Sequence, residues 1–351
     1  MPASKPIYLA VSLDVEEEGL FCGRYAQKEV SVQNTQALPK LKPLLELGVR
    51  PTLFCAYSVL ADERSRQEIK HLATEYGAEI AAHLHHWNTP PLNLINHGAP
   101  RTSVPSKELS AESFLAKLKS VLELAEGLKG SAVTSFRMGR WDLWREHFAL
   151  LAQAGIVNDA SIRPLHGRDH RANHPDHFNA PQSPYLIPTP SGHIFEVPLT
   201  VTPLVCSLTK ILNLGAKGPS YLKKLSQFLQ STTNYWGALA LLPAYHPLWA
   251  MQAVTRLFLA RGGRVLSLTW HSSEMQAGAT PHLPTESAVA ALLGKVTTYV
   301  SWLMKNYPVR SLPMNELRNN LLNQVPIITA QEGDYTTKEE TCSTCCSWSK
   351  A

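Results

Sequence analysis

The sequence predicts an α/β fold, a (β/α) barrel, and three observations carry the prediction. Short apolar segments of strand length alternate with longer segments whose apolar residues recur at helical spacing, the order that βα units require. At 351 residues the chain exceeds an average domain, but α/β barrels reach roughly 200 to 250 residues as one unit. Chemistry-bearing residues follow the apolar segments, where parallel α/β folds place their sites. With 44% hydrophobic residues a sizeable core is available.

Residues 5–13, with Ile7, Leu9, Ala10, Val11 and Leu13, read as a first buried strand. Residues 36–47 read as a helix, 51–57 as a strand, 64–76 as a helix and 79–85 as a third strand. Phe114, Leu115, Leu118, Val121, Leu122 and Ala125 recur at helical spacing, and Gly127 and Gly130 close that helix before a strand carrying Arg137. A helix over 144–154 and a strand over 155–161 follow. Residues 164–190 form a long loop holding His166, His170, His174 and His177; a loop of that length is usually functional or disordered. Strands are expected over 195–200 and 264–271, the second preceded by a helix over 248–259 and Gly262-Gly263. Between them, 208–243 is expected to carry accessory, substrate-facing helices. A helix over 284–303, a short strand over 309–312 and a capping helix over 314–323 complete a barrel domain of residues 1–325. Beyond it, 326–351 is expected to be a disordered tail rich in Cys, Ser and Thr.

The net charge of +5 and pI near 8.8 come without a clustered basic tract, which argues against nucleic acid as a partner. A basic excess suits an anionic glycan or a lipid-linked sugar. The first residues lack the apolar stretch of a signal peptide, and no run reaches the roughly 20 apolar residues of a spanning helix. The richest stretch, 236–250, is interrupted by Pro243 and Pro247. The expectation is a cytoplasmic protein, with contact to the inner membrane surface left open. Cys22, Cys55 and Cys206 are scattered, as in a reducing compartment. Cys342, Cys345 and Cys346 crowd the tail without a second ligand pair.

Candidate ligands lie at the end of the third strand, where E-I-A-A-H-L-H-H-W places His83, His85 and His86 together. Imidazole is the commonest metal ligand. In an extended chain His83 and His85 share a face and His86 points away. Two imidazoles are one short of the three protein ligands of an open catalytic zinc site. The first strand can supply the third, because Asp14 and Glu16 stand two apart on one face. A divalent cation relieves the cost of holding two carboxylates close. One can ligate while the other acts as base on a bound water. Glu17 and Glu18 read as a solvated charge run.

These segments resemble those of the NodB-homology polysaccharide deacetylases, carbohydrate esterase family 4. The resemblance rests on residues 9–16, on Thr52-Leu53-Phe54, and on Gly77-Ala78-Glu79-Ile80 leading into the histidines. The family carries an acidic motif on its first strand, then A-T-F-F, then E-I-G-S-H-T-x-x-H. Residues 135–141, S-F-R-M-G-R-W, are similar to its F-R-x-P-x-G motif, and 268–274, L-T-W-H-S-S-E, to its late L-x-x-H motif. Residues 155–161 resemble its strand ending in D-S-S. The likeness runs from Leu9 to Glu274 and would make the chain a divergent bacterial member.

The resemblance implies a distorted (β/α) barrel of about seven parallel strands with its site at the C-terminal strand ends. By it, Asp14 is the general base, Glu16 and His83 are metal ligands, Arg137 orients Asp14 through a bidentate pair, and His271 is the general acid. Trp87, Trp141 and Trp270 are the expected substrate-binding residues. The chain departs from the pattern twice. The family's second histidine falls where Trp87 stands, so His85 or His86 must replace it; alternation favours His85, whereas a tight turn after Leu84 would aim His86 inward. The arginine motif has Met138-Gly139 in place of its proline.

The implied chemistry is metal-dependent hydrolysis of an N- or O-linked acetyl group on a saccharide, polysaccharide or glycolipid. Zinc lowers the pKa of bound water from 15.7 to about 7, within reach of a carboxylate base. Two alternatives stand beside it: an amide hydrolase of the same fold acting on a small cyclic ureide, and an inactive homologue that binds a glycan.

Overall fold

The structure is a computed structural model, and it describes residues 6–92, 105–166, 174–217, 219, 221, 238–331 and 334–337. Strand β1 is Ile7–Val15, β2 Thr52–Ala56, β3 Glu79–Leu84, β4 Ser135–Met138 and β5 Asn158–Asp159. They are followed by β6 Tyr185–Thr189, β7 Gly192–Glu196, β8 Val201–Pro203, β9 Ala238–Ala240, β10 Val265–His271 and β11 Val309–Ser311, the last pairing in parallel with β1 off the main path. The main sheet runs β10-β1-β2-β3-β4-β5-β7-β6. Every neighbouring pair is parallel except β6 with β7. Strands β1, β2, β3, β4, β5, β7 and β10 therefore form the expected parallel set. Between the sheet's ends the link is irregular: Ser267 N–H donates to Thr200 Oγ1 at 2.7 Å and Leu241 N–H to the Thr200 carbonyl at 2.9 Å. This is the distortion of the barrel.

The period of two along each strand sorts residues between the barrel interior and the helices outside. In β1, Leu9, Val11, Leu13 and Val15 join the main core. Ala10 joins a second core inside the barrel with Phe54, Ala81, Ala160, Phe195 and Val197. Ser12 and Asp14, next on that inner face, are buried and polar. The interior thus has an apolar floor at the strands' N-terminal ends and a polar layer above it. Glu79 ties the floor together, accepting from Ser135 Oγ at 2.6 Å, Thr52 Oγ1 at 3.0 Å and Asn315 N–H at 3.1 Å.

Helices α1 (Glu63–Tyr76) and α2 (Ala111–Lys129) begin where the Asp62 and Ser110 side chains accept from Ser65 and Ser113 N–H. Gly77 and Gly130, both left-handed, end them. Gly127 lies within α2 rather than at its end. Helices α3 (Arg145–Gln153), α4 (Cys206–Lys217), α5 (Leu248–Ala260), α6 (Glu286–Asn306) and α7 (Met314–Leu321) follow. Met314, Leu317 and Leu321 of α7 close the barrel floor. Helix α6 is long and apolar enough to cross a membrane by length and composition. Its Val289, Leu292, Val296, Tyr299, Val300 and Leu303 are buried at helical spacing, which makes it a core helix.

Several expectations change. The helix expected over 36–47 is 3-10 from Gln33 to Leu41 and α-helical only from Lys42 to Leu45, because Pro39 and Pro43 have no N–H to donate. The long loop ends in strand β6, which pairs with β7 as a hairpin. Past residue 325 the chain does not become a tail at once: β12 (Ile328–Gln331) and β13 (Asp334–Thr337) form an antiparallel ribbon, with Ile328 in the main core. His170 and the cysteines at 342, 345 and 346 lie outside the described residues.

Trp270 is a correction. Its indole is 1% exposed within the main core, on the opposite side of β10 from the barrel interior, and is not available to a substrate. Trp270→Ala should cost about 3–5 kcal/mol in chemical denaturation; a loss below about 1 kcal/mol would contradict this placement.

Candidate active site and metal centre

Glu16, His83 and His85 converge at the C-terminal ends of β1 and β3. Their ligand atoms lie within 4.8 Å of one another and all three residues are buried. Among the described residues no other such group of three or more occurs. His83 Nε2 stands 3.3 Å and His85 Nε2 3.2 Å from Glu16 Oε2. The chain turns immediately after this point, since the His85 carbonyl accepts from Thr89 N–H at 3.1 Å and Thr89 Oγ1 at 2.7 Å. His86 consequently leaves the group and meets the edge of Trp87 at 5.3 Å.

Each imidazole is held by its other nitrogen. His83 Nδ1 lies 3.0 Å from the Arg137 carbonyl, an acceptor, so it carries the proton and leaves Nε2 as a lone pair. His85 Nδ1 lies 2.8 Å from Glu17 Oε1. Glu17, expected to be solvated, is 2% exposed and also accepts from Asn88 Nδ2 at 2.7 Å and Ser58 Oγ at 3.0 Å. A carboxylate behind a ligating histidine fixes the ring and raises its basicity. The signal for Glu17 is absent from its own sequence neighbourhood, since its partner is 68 residues away. His85 Nε2 is buried and makes no hydrogen bond. Two imidazole nitrogens and a carboxylate oxygen aimed at one point are the donor set of an open zinc site, so the residues fit a divalent cation.

Both departures from the family motif meet at the His85 ring. Trp87 stacks on it at 4.4 Å and 23°. A β-carbon at Gly139 would overlap His85 Cδ2 and lie 2.9 Å from Nε2. Only glycine leaves His85 this volume. Trp87 is 5% exposed, so it backs the imidazole rather than offering a face to substrate.

Asp14 is buried beside this group. Its Oδ1 accepts from Arg137 Nη1, and that single contact replaces the expected bidentate pair, because Nη2 donates to Ser12 Oγ and Nε to the Ala160 carbonyl, each at 2.9 Å. The guanidinium lies between the rings of Phe54 and Trp141, at 4.2 Å and 5.0 Å. Trp141 is only partly buried and, like Arg140 before it, adopts a left-handed backbone conformation; such strain collects at functional sites.

His271 ends β10, in register with Asp14. Its Nε2 is 3.8 Å from Asp14 Oδ2, and its Nδ1 is 3.0 Å from Glu274 Oε2. Glu274 also accepts from His271 N–H at 2.9 Å and from His282 Nε2 at 2.8 Å. Burial opposes a charged His271, but Glu16, Glu274 and Asp14 outweigh it and push its pKa up to about 9. Burial likewise opposes ionisation of Glu274, and the two histidines still hold it at about 2. His85 follows the same logic: burial lowers it, Glu17 and Glu16 raise it further, and it ends at about 10. Burial would raise Glu16, yet His271, His83 and His85 keep it below the usual carboxylate range.

Among the described residues, His166 and His177 of the 164–190 segment are not part of the Glu16–His83–His85 group. Burial lowers the pKa of His166 and His177, and His177 Nδ1 pairs with Tyr335 of β13 at 2.7 Å.

No known family model and no curated protein matches the sequence. Solved structures do. A protein from Mycobacterium smegmatis provisionally named a polysaccharide deacetylase superposes over 95% of this chain and 96% of its own, with a TM-score of 0.58 at 15% identity. One from Pseudomonas aeruginosa PAO1 with the same provisional name matches over 91% of both chains, at 0.51 and 12%. A glycoside hydrolase/deacetylase, so named provisionally, from Parabacteroides distasonis covers 91% of this chain and 71% of its own, at 0.54 and 11%. The fold is that of the polysaccharide deacetylases.

Two expectations concern the cation. Glu17→Gln and Gly139→Ala should each weaken zinc binding by roughly 10- to 100-fold in a competition titration, and unchanged affinity would mean that His85 is not a ligand. Because the cation-free His85 stays protonated up to about pH 10, zinc binding at neutral pH should release about one proton. Affinity should accordingly rise with pH, which calorimetry in buffers of different ionisation enthalpy measures.

Proposed function

We propose that the chain is a metal-dependent hydrolase that removes an N- or O-linked acetyl group from a saccharide, a polysaccharide or a lipid-linked sugar. One observation carries the reading: Glu16, His83 and His85 converge beside an Asp14–Arg137 pair and a His271–Glu274 pair. A base, an acid and a cation site thus surround one small volume. The fold shared with structures named as deacetylases agrees with it.

Zinc, held by Glu16, His83 and His85, would supply Lewis acidity toward an acetyl carbonyl and acidify a water. Asp14 accepts the proton of the attacking water. Arg137 engages Oδ1 and so leaves Oδ2, the atom facing His271, as the basic oxygen. The water oxygen adds to the acetyl carbon to give a tetrahedral intermediate. Its C–N or C–O bond to the sugar breaks as His271 gives its Nε2 proton to the departing nitrogen or oxygen, yielding acetate and a free amine or hydroxyl. Glu274 fixes which nitrogen does this, because it holds Nδ1. Glu274 and Asp14 each raise the pKa of His271 and so favour the protonated form that an acid needs.

The test is acetate release from a panel of acetylated saccharides and lipid-linked sugars, with metal content measured on the same preparation. Asp14→Asn should lower kcat by roughly 10²- to 10⁴-fold while zinc content is unchanged. Zinc-loaded protein that releases no acetate from any member of the panel would overturn the reading.

A further inference from the structure

Helix α4 presents apolar side chains to solvent: Ile211 and Leu214 are 63% and 68% exposed, while Thr209 and Asn213, one turn apart, are buried at 2% and 8% exposure. Leu204 and Val205, just before the helix, are also exposed, as are Tyr245 and Trp249 at the start of α5. Of the large hydrophobic side chains exposed in the described structure, all but Ile327 fall between residues 204 and 249. Apolar exposure concentrated in one stretch of the chain points to an interaction surface.

Charge selects the occupant. From Glu196 to Glu274 the chain contains no other Asp or Glu, while it carries Lys210 and Lys217 in α4 and further Lys and Arg residues beyond. Exposed apolar side chains on a stretch of sequence that is basic and acid-free, with Trp and Tyr among them, match the interface of an anionic bilayer: acyl chains for Ile211 and Leu214, headgroup level for the aromatic rings. Tyr245 joins this face to the site. Its ring lies 5.5 Å from that of His282, which holds Glu274 behind His271.

We propose that the exposed apolar side chains of α4 and of the start of α5 dock the protein on an anionic membrane surface, with the mouth of the site at the lipid headgroups. That a lipid-linked sugar is thereby the substrate rests on the hydrolase reading above; the docking does not.

The test is co-sedimentation of the full chain with vesicles of phosphatidylcholine alone and of phosphatidylcholine with phosphatidylglycerol. The chain should partition onto the anionic vesicles, less so at high salt. Ile211→Glu with Leu214→Glu, and separately Trp249→Ser, should each reduce partitioning about tenfold or more, with thermal unfolding unchanged. Absence of binding to either vesicle overturns the proposal, as does binding that both variants retain. A wild-type dimer that Ile211→Glu with Leu214→Glu converts to monomer, with no vesicle binding, overturns it in favour of a second copy on this face. Acetate release from a soluble substrate, measured in parallel, separates the two readings. Vesicle binding without release defeats the hydrolase alone, and release without vesicle binding defeats the docking alone.

Discussion

Arg137 buries a guanidinium at 2% exposure in the polar layer of the barrel, and the surroundings are arranged to make that tolerable. An unpaired buried charge is prohibitively costly. Here the cation meets Asp14 and Ser12 of β1, Thr269 of β10, the Ala160 carbonyl after β5 and two aromatic faces. Its own carbonyl accepts from His83 of β3. One residue on β4 therefore orients the carboxylate proposed as base, the tautomer of one proposed ligand, and the strands that carry them. The pairing is mutually required: removing either the Asp14 carboxylate or the Arg137 guanidinium leaves the other buried without its partner.

The second dependency surrounds His85. In the family motif the second histidine comes four residues after the first, whereas His85, the proposed second ligand, comes two after His83. That displacement alters the site geometrically, because a ring held so close to the strand needs space that the motif's proline would fill. Gly139 provides it, Trp87 stacks on the ring, and Glu17 holds the far nitrogen. The apparent loss of a ligand and the apparent loss of a proline are two sides of one rearrangement. His85 and His271 are each poised by carboxylates that override burial, the balance in which local charge decides protonation.

Much of this was legible in the sequence. Element order follows from local periodicity to within a few residues for most elements; β6, β12 and β13 escape it, and Pro39 and Pro43 make 3-10 of an expected α-helix. The pairing of His83 with His85 over His86 followed from the two-residue period of a strand, which holds to the last residue before the turn. The same rule, applied to β10, turns Trp270 away from the interior that His271 faces. Trp270 was legible too, and its misplacement came from giving weight to the motif beside it rather than to alternation.

By itself, the sequence determined the succession of strands and helices and which residues share a strand face, because both depend on neighbours two to four positions apart. The tertiary structure alone decided that Glu17 is buried behind His85, that Gly139 makes room for the ring, that Arg137 grips Asp14 with one nitrogen, and that α4 presents Ile211 and Leu214 to solvent. Each of these depends on segments tens to hundreds of residues apart competing for one small volume, or, for α4, on which face the barrel covers. A local pattern holds no record of either.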